Sequence, residues 1–239
     1  MPETDLTVLT YNTGLGLASI DRLAEALLAA DADIVGLQEL DASLADVGDA
    51  LRAAYPYQSL HPLGIPGKGL LSRYPLREAR LLPLIPGRPD LRAIVEAPAG
   101  PIDVFVAHPP PLRISRGRWQ ENAGAARQIQ ALAAAASAGE PAILLGDFNR
   151  LRSQQAYRRL RAAGLIDAFD AAGHGWGGTL PTRLFGWAMR GHPVGAIPLP
   201  PVLRVDYVWH TRHFTTLASW TGPHAGSDHL PVIARLRRG

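Results

Sequence analysis

The chain has 239 residues, 47% of them hydrophobic and 19% charged, with a formal net charge of +3 and no cysteine. That composition excludes a disordered chain, a disulfide scaffold and a thiolate metal site. No run of about 18 apolar residues reads as a membrane span, and Met1-Pro2-Glu3-Thr4-Asp5 lacks the basic start and apolar core of a signal peptide, so a soluble, cytoplasmic protein is expected. Lys68 is the only lysine, so 23 of the 24 basic residues are arginine. This mild excess suits an anionic substrate but does not by itself argue for nucleic-acid binding.

The first alternating run, Leu6 to Tyr11, reads as a strand that ends at Asn12-Thr13-Gly14. Ile20, Leu23, Leu27 and Leu28 recur at helical spacing behind a capping Ser19, and Asp31-Ala32-Asp33 ends that helix. A buried strand, Ile34 to Gln38, then delivers Glu39. Leu44, Val47, Leu51 and Ala54 predict a second amphipathic helix, stopped before Pro56. From Tyr57 to Ala107 short strands separated by Gly and Pro (57–60, 69–72, 79–84, 91–97, 102–107) read as a meander or hairpins in an antiparallel sheet, ending at His108-Pro109.

A long helix is expected over 118–138, with Trp119, Ala126, Ile129 and Leu132 inward. Ala142 to Leu145 is a buried strand running into Gly146-Asp147-Phe148-Asn149, where strand alternation would aim Asp147 and Asn149 to one side and Phe148 into the core. The competing reading is an Asx turn that merely closes the strand. A helix over 154–163 follows, and then a Gly- and Pro-rich stretch, 173–204, bearing Trp176, Phe185, Trp187 and Met189. Strands over 205–210, 214–221 and 230–236 close the chain. With no repeat and no linker, residues 1–239 are expected to form one domain, two β layers covered by helices.

Polar groups stand at strand ends all along this pattern: Asn12, Glu39, His108, Asp147 with Asn149, and Asp206, joined by Asp228-His229 before the last strand. Each alone has an ordinary structural explanation, yet strand ends are how a sheet assembles a rigid site from distant sequence. Glu39, Asp228 and Asn12 are hard oxygen donors suited to Mg²⁺ or Mn²⁺. Asp147 can accept a proton from water, Asn149 can hold that water or a phosphoryl oxygen, and an Asp206–His229 pair would favour an oriented imidazole. His108 is a candidate hydrogen-bond donor or leaving-group acid.

Thr10-Tyr11-Asn12, Gly36-Leu37-Gln38-Glu39, Gly69 to Leu76, Gly146-Asp147-Phe148-Asn149, Arg204-Val205-Asp206-Tyr207 and Gly226 to Val232 occur in the order found in the endonuclease/exonuclease/phosphatase family, which the chain resembles over positions 10–233. The resemblance implies a four-layer α/β sandwich of two packed, mainly antiparallel or mixed sheets. It implies Mg²⁺- or Mn²⁺-dependent phosphoester hydrolysis, with Asn12, Glu39 and Asp228 on the metal side and Asp147, Asn149, Asp206 and His229 on the water and phosphate. Val106-Ala107-His108-Pro109 resembles the deoxyribonuclease- and sphingomyelinase-like branches rather than the abasic-site endonucleases, which carry tyrosine there. The expected partner is an anionic phosphoester, of nucleic acid or of a lipid or small molecule, acted on by a monomer. Arg113, Arg116 and Trp187 are expected substrate contacts, and a non-catalytic binding module on the same fold is the competing class.

Overall fold

A computed structural model of the chain describes residues 5–115, 118–120, 122–138, 140–183 and 197–239, with backbone alone for 113–115 and 118–119. Its centre is two six-stranded mixed sheets. The first contains β1 (Asp5–Asn12), β2 (Ile34–Gln38), β3 (Tyr57–His61) and β4 (Lys68–Ser72). The second contains β5 (Leu76–Leu82), β6 (Asp90–Ala97), β7 (Gly100–Ala107), β10 (Ala142–Asp147), β11 (Ile166–Asp167) and β12 (Asp206–His210). Between β7 and β10 in sequence lies a small hairpin, β8 (Arg113–Ser115) with β9 (Arg118–Gln120). The terminal strands β13 (Phe214–Thr221) and β14 (Val232–Arg238) return to the first sheet, giving the order β13-β14-β1-β2-β4-β3 against β11-β12-β10-β7-β6-β5.

Each sheet has the same plan, a central parallel pair (β1 with β2, β7 with β10) flanked by antiparallel neighbours. Side-chain alternation then sorts each central strand between two cores. Val8, Ile34, Leu70, Val104, Val106, Ile143, Leu145 and Val208 meet between the sheets. Leu9, Tyr11, Val35 and Leu37 face outward onto α1 (Ile20–Ala30) and α2 (Val47–Leu51). Phe105, Leu144, Phe148, Tyr207 and Trp209 face outward onto α3 (Ala123–Ala136) and α4 (Gln155–Ala162). Burial on both faces explains why these strands read as continuous apolar runs, and the result is the expected four-layer sandwich. Truncating one of these Leu or Ile side chains to Ala costs about 2–5 kcal/mol in such a core.

Several expectations needed correction. The segment 57–107 pairs antiparallel as expected but not in one sheet: the β3–β4 hairpin joins the first sheet, and the chain crosses at Arg73–Pro75 into the second. Local pattern defines a strand but not the sheet that takes it. The helix expected from residue 118 begins at Ala123, because Asn122 supplies the cap for the Gly124 amide at 2.8 Å while 118–120 pairs with 113–115. The helix expected over 44–54 shrinks to a 3₁₀ turn at Ala42–Leu44 and the five residues of α2. Pro83 stops β5 at Leu82, and Pro231, with no amide to donate, delays β14 to Val232. The two-residue β11 and the short α5 (Ala168–Ala172), capped by Asp167, went unforeseen.

Candidate functional site

The parallel centres of both sheets end at the same edge of the sandwich, so the C-terminal ends of β1, β2, β7 and β10 deliver Asn12, Glu39, His108 and Asp147 there, and antiparallel β12 delivers its first residue, Asp206. Asp147 is its pivot and is 1% exposed. Gly146 has to precede it, since a Cβ there would stand 2.2 Å from the Ala107 carbonyl oxygen. Phe148 turns into the outer core as expected, but strand alternation does not bring Asn149 round. Asn149 adopts a left-handed φ of 52°, and its backbone amide donates to Asp147 Oδ1 at 2.8 Å. The segment is thus an Asx turn, and the turn is what aims the carboxamide. Asn149 Nδ2 donates to the Pro109 carbonyl at 3.1 Å and lies 3.3 Å from Asp147 Oδ2. Asn12 Nδ2 donates to the same oxygen at 3.0 Å, tying the first sheet to the second.

Asp147 and Asp206 stand directly opposite each other on β10 and β12, an arrangement that is repulsive for two carboxylates. Burial, and then Asp206, push the Asp147 carboxyl well above the ordinary carboxylate range. His229 answers that repulsion. Its Nδ1 meets Asp206 Oδ2 at 2.9 Å, while Nε2 lies 3.9 Å from Asp147 Oδ2. Burial alone would discharge this imidazole, but Asp206, Asp147 and Asp228 outweigh it and raise it to about 10. Ser227 fixes the histidine: its hydroxyl donates to the Asn12 carbonyl at 2.7 Å and accepts the His229 amide at 3.1 Å.

His108, whose Nε2 approaches the same Asp147 oxygen as His229 Nε2 does, has the opposite character. It is 2% exposed, and burial followed by the charges of Lys68 and Arg88 drives its protonation far down. Its Nδ1 faces the Ile65 carbonyl at 3.3 Å, and a carbonyl only accepts, so Nδ1 carries the proton. The bare Nε2 stands 3.5 Å from Asp147 and 3.6 Å from Glu39. These are not hydrogen bonds; they leave an interval that a bridging polar atom can fill.

Glu39 follows β2 at a left-handed φ of 54°, strain that places its half-buried carboxylate at this edge. Burial and then Asp228 raise its proton affinity, against His229, which lowers it. Asp228, also half-buried, is close by; a Cβ on Gly14, held at φ 71°, would be 2.9 Å from Asp228 Oδ1. Two mutually repelling, half-buried carboxylates are hard oxygen donors of the kind that suit a hard cation. Asn12 fits that set less well, because its Oδ1 already accepts the Gly14 amide at 3.0 Å. Among the described residues, ligand-type atoms also converge at Asp147, Asp206 and His229, all within 4.8 Å. That trio suits a metal poorly, since a protonated imidazole spends its N–H on Asp206 and has no lone pair to give.

Sequence reasoning missed the support behind His108. Lys68 is completely buried, and among the described residues its ammonium makes one hydrogen bond, to the Pro66 carbonyl at 2.9 Å. Burial lowers it to about 8 against the pull of Asp90, Glu39 and Asp147. Asp90, raised by burial to about 6, accepts two bonds from Gln128 Nε2 at 2.8 Å and one from the His108 amide at 3.3 Å. A sole lysine inside a glycine-flanked apolar run was the available signal. Of the expected substrate contacts, Arg116 and Trp187 lie outside the described residues, as do Phe185 and Met189, and Arg113 is described in backbone alone.

Comparison with known proteins gives a family and a fold. A family model described as endonuclease/exonuclease/phosphatase matches residues 9–229. An endonuclease/exonuclease/phosphatase from Beutenbergia cavernae superposes with a TM-score of 0.77 at 22% identity, over 98% of this chain and 72% of that one. Sphingomyelinase C from Streptomyces griseocarneus gives 0.65 at 23% identity, over 97% and 99%. D. rerio TDP2, complexed with a single-strand DNA product, gives 0.71 at 15% identity, over 98% and 99%. At these identities the likeness is one of fold. No curated protein matches the chain in sequence.

Proposed function

The chain belongs to the endonuclease/exonuclease/phosphatase family, whose members are in general hydrolytic, and from that premise we propose a single-domain, Mg²⁺- or Mn²⁺-dependent phosphoesterase. The observation that carries the reading is Asp147, a buried carboxylate of raised proton affinity set between a charged and a neutral histidine. A raised carboxyl is matched to taking a proton from water near neutral pH. Asn149 and Asn12 hold that carboxylate in one orientation by hydrogen bonds from opposite sides. The His229 imidazolium, kept charged by Asp206, offers a buried N–H to a phosphoryl oxygen. His108, its proton committed to Ile65, accepts a hydrogen bond through Nε2, which favours orienting the water over protonating a leaving group.

Glu39 and Asp228 would hold the cation, with Asn12 as a lesser donor. When bound, the cation neutralises phosphate charge and stabilises the departing oxygen. Two substrate classes remain in view, since the Streptomyces and D. rerio relatives are a sphingomyelinase and a DNA complex. Exposed Trp176, Ile197, Val202 and Leu203, on the stretch preceding Asp206, favour contact with an apolar group.

The test is metal-dependent hydrolysis of bis-p-nitrophenyl phosphate, plasmid DNA and a short-chain lipid phosphate by wild type and Asp147→Ala. Turnover should need Mg²⁺ or Mn²⁺ and fall about a thousandfold in the variant. Folded protein that binds no Mn²⁺ by electron paramagnetic resonance would end the proposal.

A further inference from the structure

Beside the site lies a cavity of about 580 Å³ that none of the proposed chemistry uses. Its walls are the Ile85–Arg88 loop, Pro110 and Pro111 just beyond His108, and the start of α3 at Asn122–Gly124 with Arg127. The volume is in the range of a small-molecule subsite. Its electrostatics have one sign: two arginines line it and, among the described residues, no carboxylate does.

Arg88 connects the cavity to the site. Its guanidinium feels both Glu39 and Asp147, yet makes no ion pair with either, and Nη1 is buried with no hydrogen-bond partner. A buried guanidinium N–H left unmade is costly, and the loss is recovered when an anion supplies an oxygen. Arg127 is exposed and likewise without an ion partner among the described residues. The first turn of α3, a helix of 14 residues with no acidic residue in that turn, adds its amide dipoles on the same wall. Apolar Ile85, Pro86, Pro110 and Pro111 complete the lining.

We propose that this cavity is a subsite for a second phosphate group of the substrate, adjacent to the scissile one and held by Arg88 and Arg127. The inference rests on the phosphoesterase reading above and narrows it. A substrate whose headgroup is cationic, as phosphocholine is, would place like charge against both arginines. A substrate carrying a further phosphate next to the one hydrolysed, as a nucleotide strand does, satisfies them. The apolar lining accepts the uncharged part between the two phosphates.

The test is equilibrium binding in EDTA, where no turnover occurs, of the thymidine dinucleotides TpT and pTpT, which differ by one terminal phosphate. Wild type should bind pTpT at least about tenfold more tightly than TpT, the value of one charge-assisted contact pair. Arg127→Ala, at an exposed position that leaves the core intact, should cut that preference severalfold, and Arg88→Met should abolish it. Pyrophosphate should displace pTpT. Equal affinity for the two dinucleotides, or a preference unchanged in both variants, overturns the subsite. A folding check by thermal melting accompanies each variant. Because the readout is metal-free binding, loss of the subsite and absence of bis-p-nitrophenyl phosphate hydrolysis are separate results.

Discussion

The two walls that flank Asp147 are built from the same residue types and charged in opposite ways. On one wall His229 touches Asp206, and three carboxylates keep it an imidazolium although it is buried. On the other His108 is just as buried, but Lys68 and Arg88 stand behind it and its own proton is spent on a backbone carbonyl. The partner within reach decides protonation; burial alone would have discharged both. One acid between a proton-rich and a proton-poor histidine is a site with a direction, and that direction is what the experiments below would break.

The largest expected effect is from Asp206→Asn. The amide cannot hold an imidazolium, so the two walls become alike, and turnover should drop about a thousandfold. A variant retaining more than a tenth of wild-type activity would show that the charged wall is not needed for chemistry. A second measurement is direct, the ring nitrogen shifts of both histidines in metal-free protein. At pH 7.5 His229 should be protonated and His108 neutral. The sign follows from linkage: a histidine raised to about 10 contributes stability that is complete below about pH 6.5 and is lost as pH rises towards 10. His108, lowered instead, costs stability only as the medium becomes acid enough to protonate it in the unfolded chain. Finding both rings in one state would remove the contrast.

Lys68→Met gives the smallest effect, and the two readouts should move oppositely. A lysine lowered from 10.5 to about 8 by burial costs stability in full below pH 8, and the cost fades between there and about 10.5. An apolar replacement should therefore raise the melting temperature by a few degrees at pH 7, for a gain of about 1–3 kcal/mol. Activity should fall about tenfold, because the cation behind His108 and Glu39 is gone. A stabilised enzyme with unchanged activity would make Lys68 a packing residue.

How much of this was legible in the sequence varied with how local the cause was. Buried strands such as 34–38 and 142–145 announced themselves because burial on both faces leaves no polar position. The candidate site residues could be picked out because each follows such a run and because their order resembles a known family. The Asn149 turn was misjudged, since a left-handed φ at a non-glycine residue leaves no periodic mark. Lys68, Asp90 and Gln128 escaped because each is unremarkable in its own segment, and they form a network only when β4, β6 and α3 are packed.

The sequence by itself therefore determined most of the strands, two β layers covered by helices and the polar strand ends, set by apolar periodicity and local chemistry, while the resemblance to a family supplied the four-layer class. Only the tertiary structure decided that 57–72 and 76–107 belong to different sheets, and that Asp147 faces Asp206. It also decided which buried histidine is charged. Those outcomes depend on hydrogen-bond partners and electrostatic neighbours that are mostly distant in sequence, as Asp206 and Asp147 are from His229 and Lys68 is from His108, which no local pattern encodes.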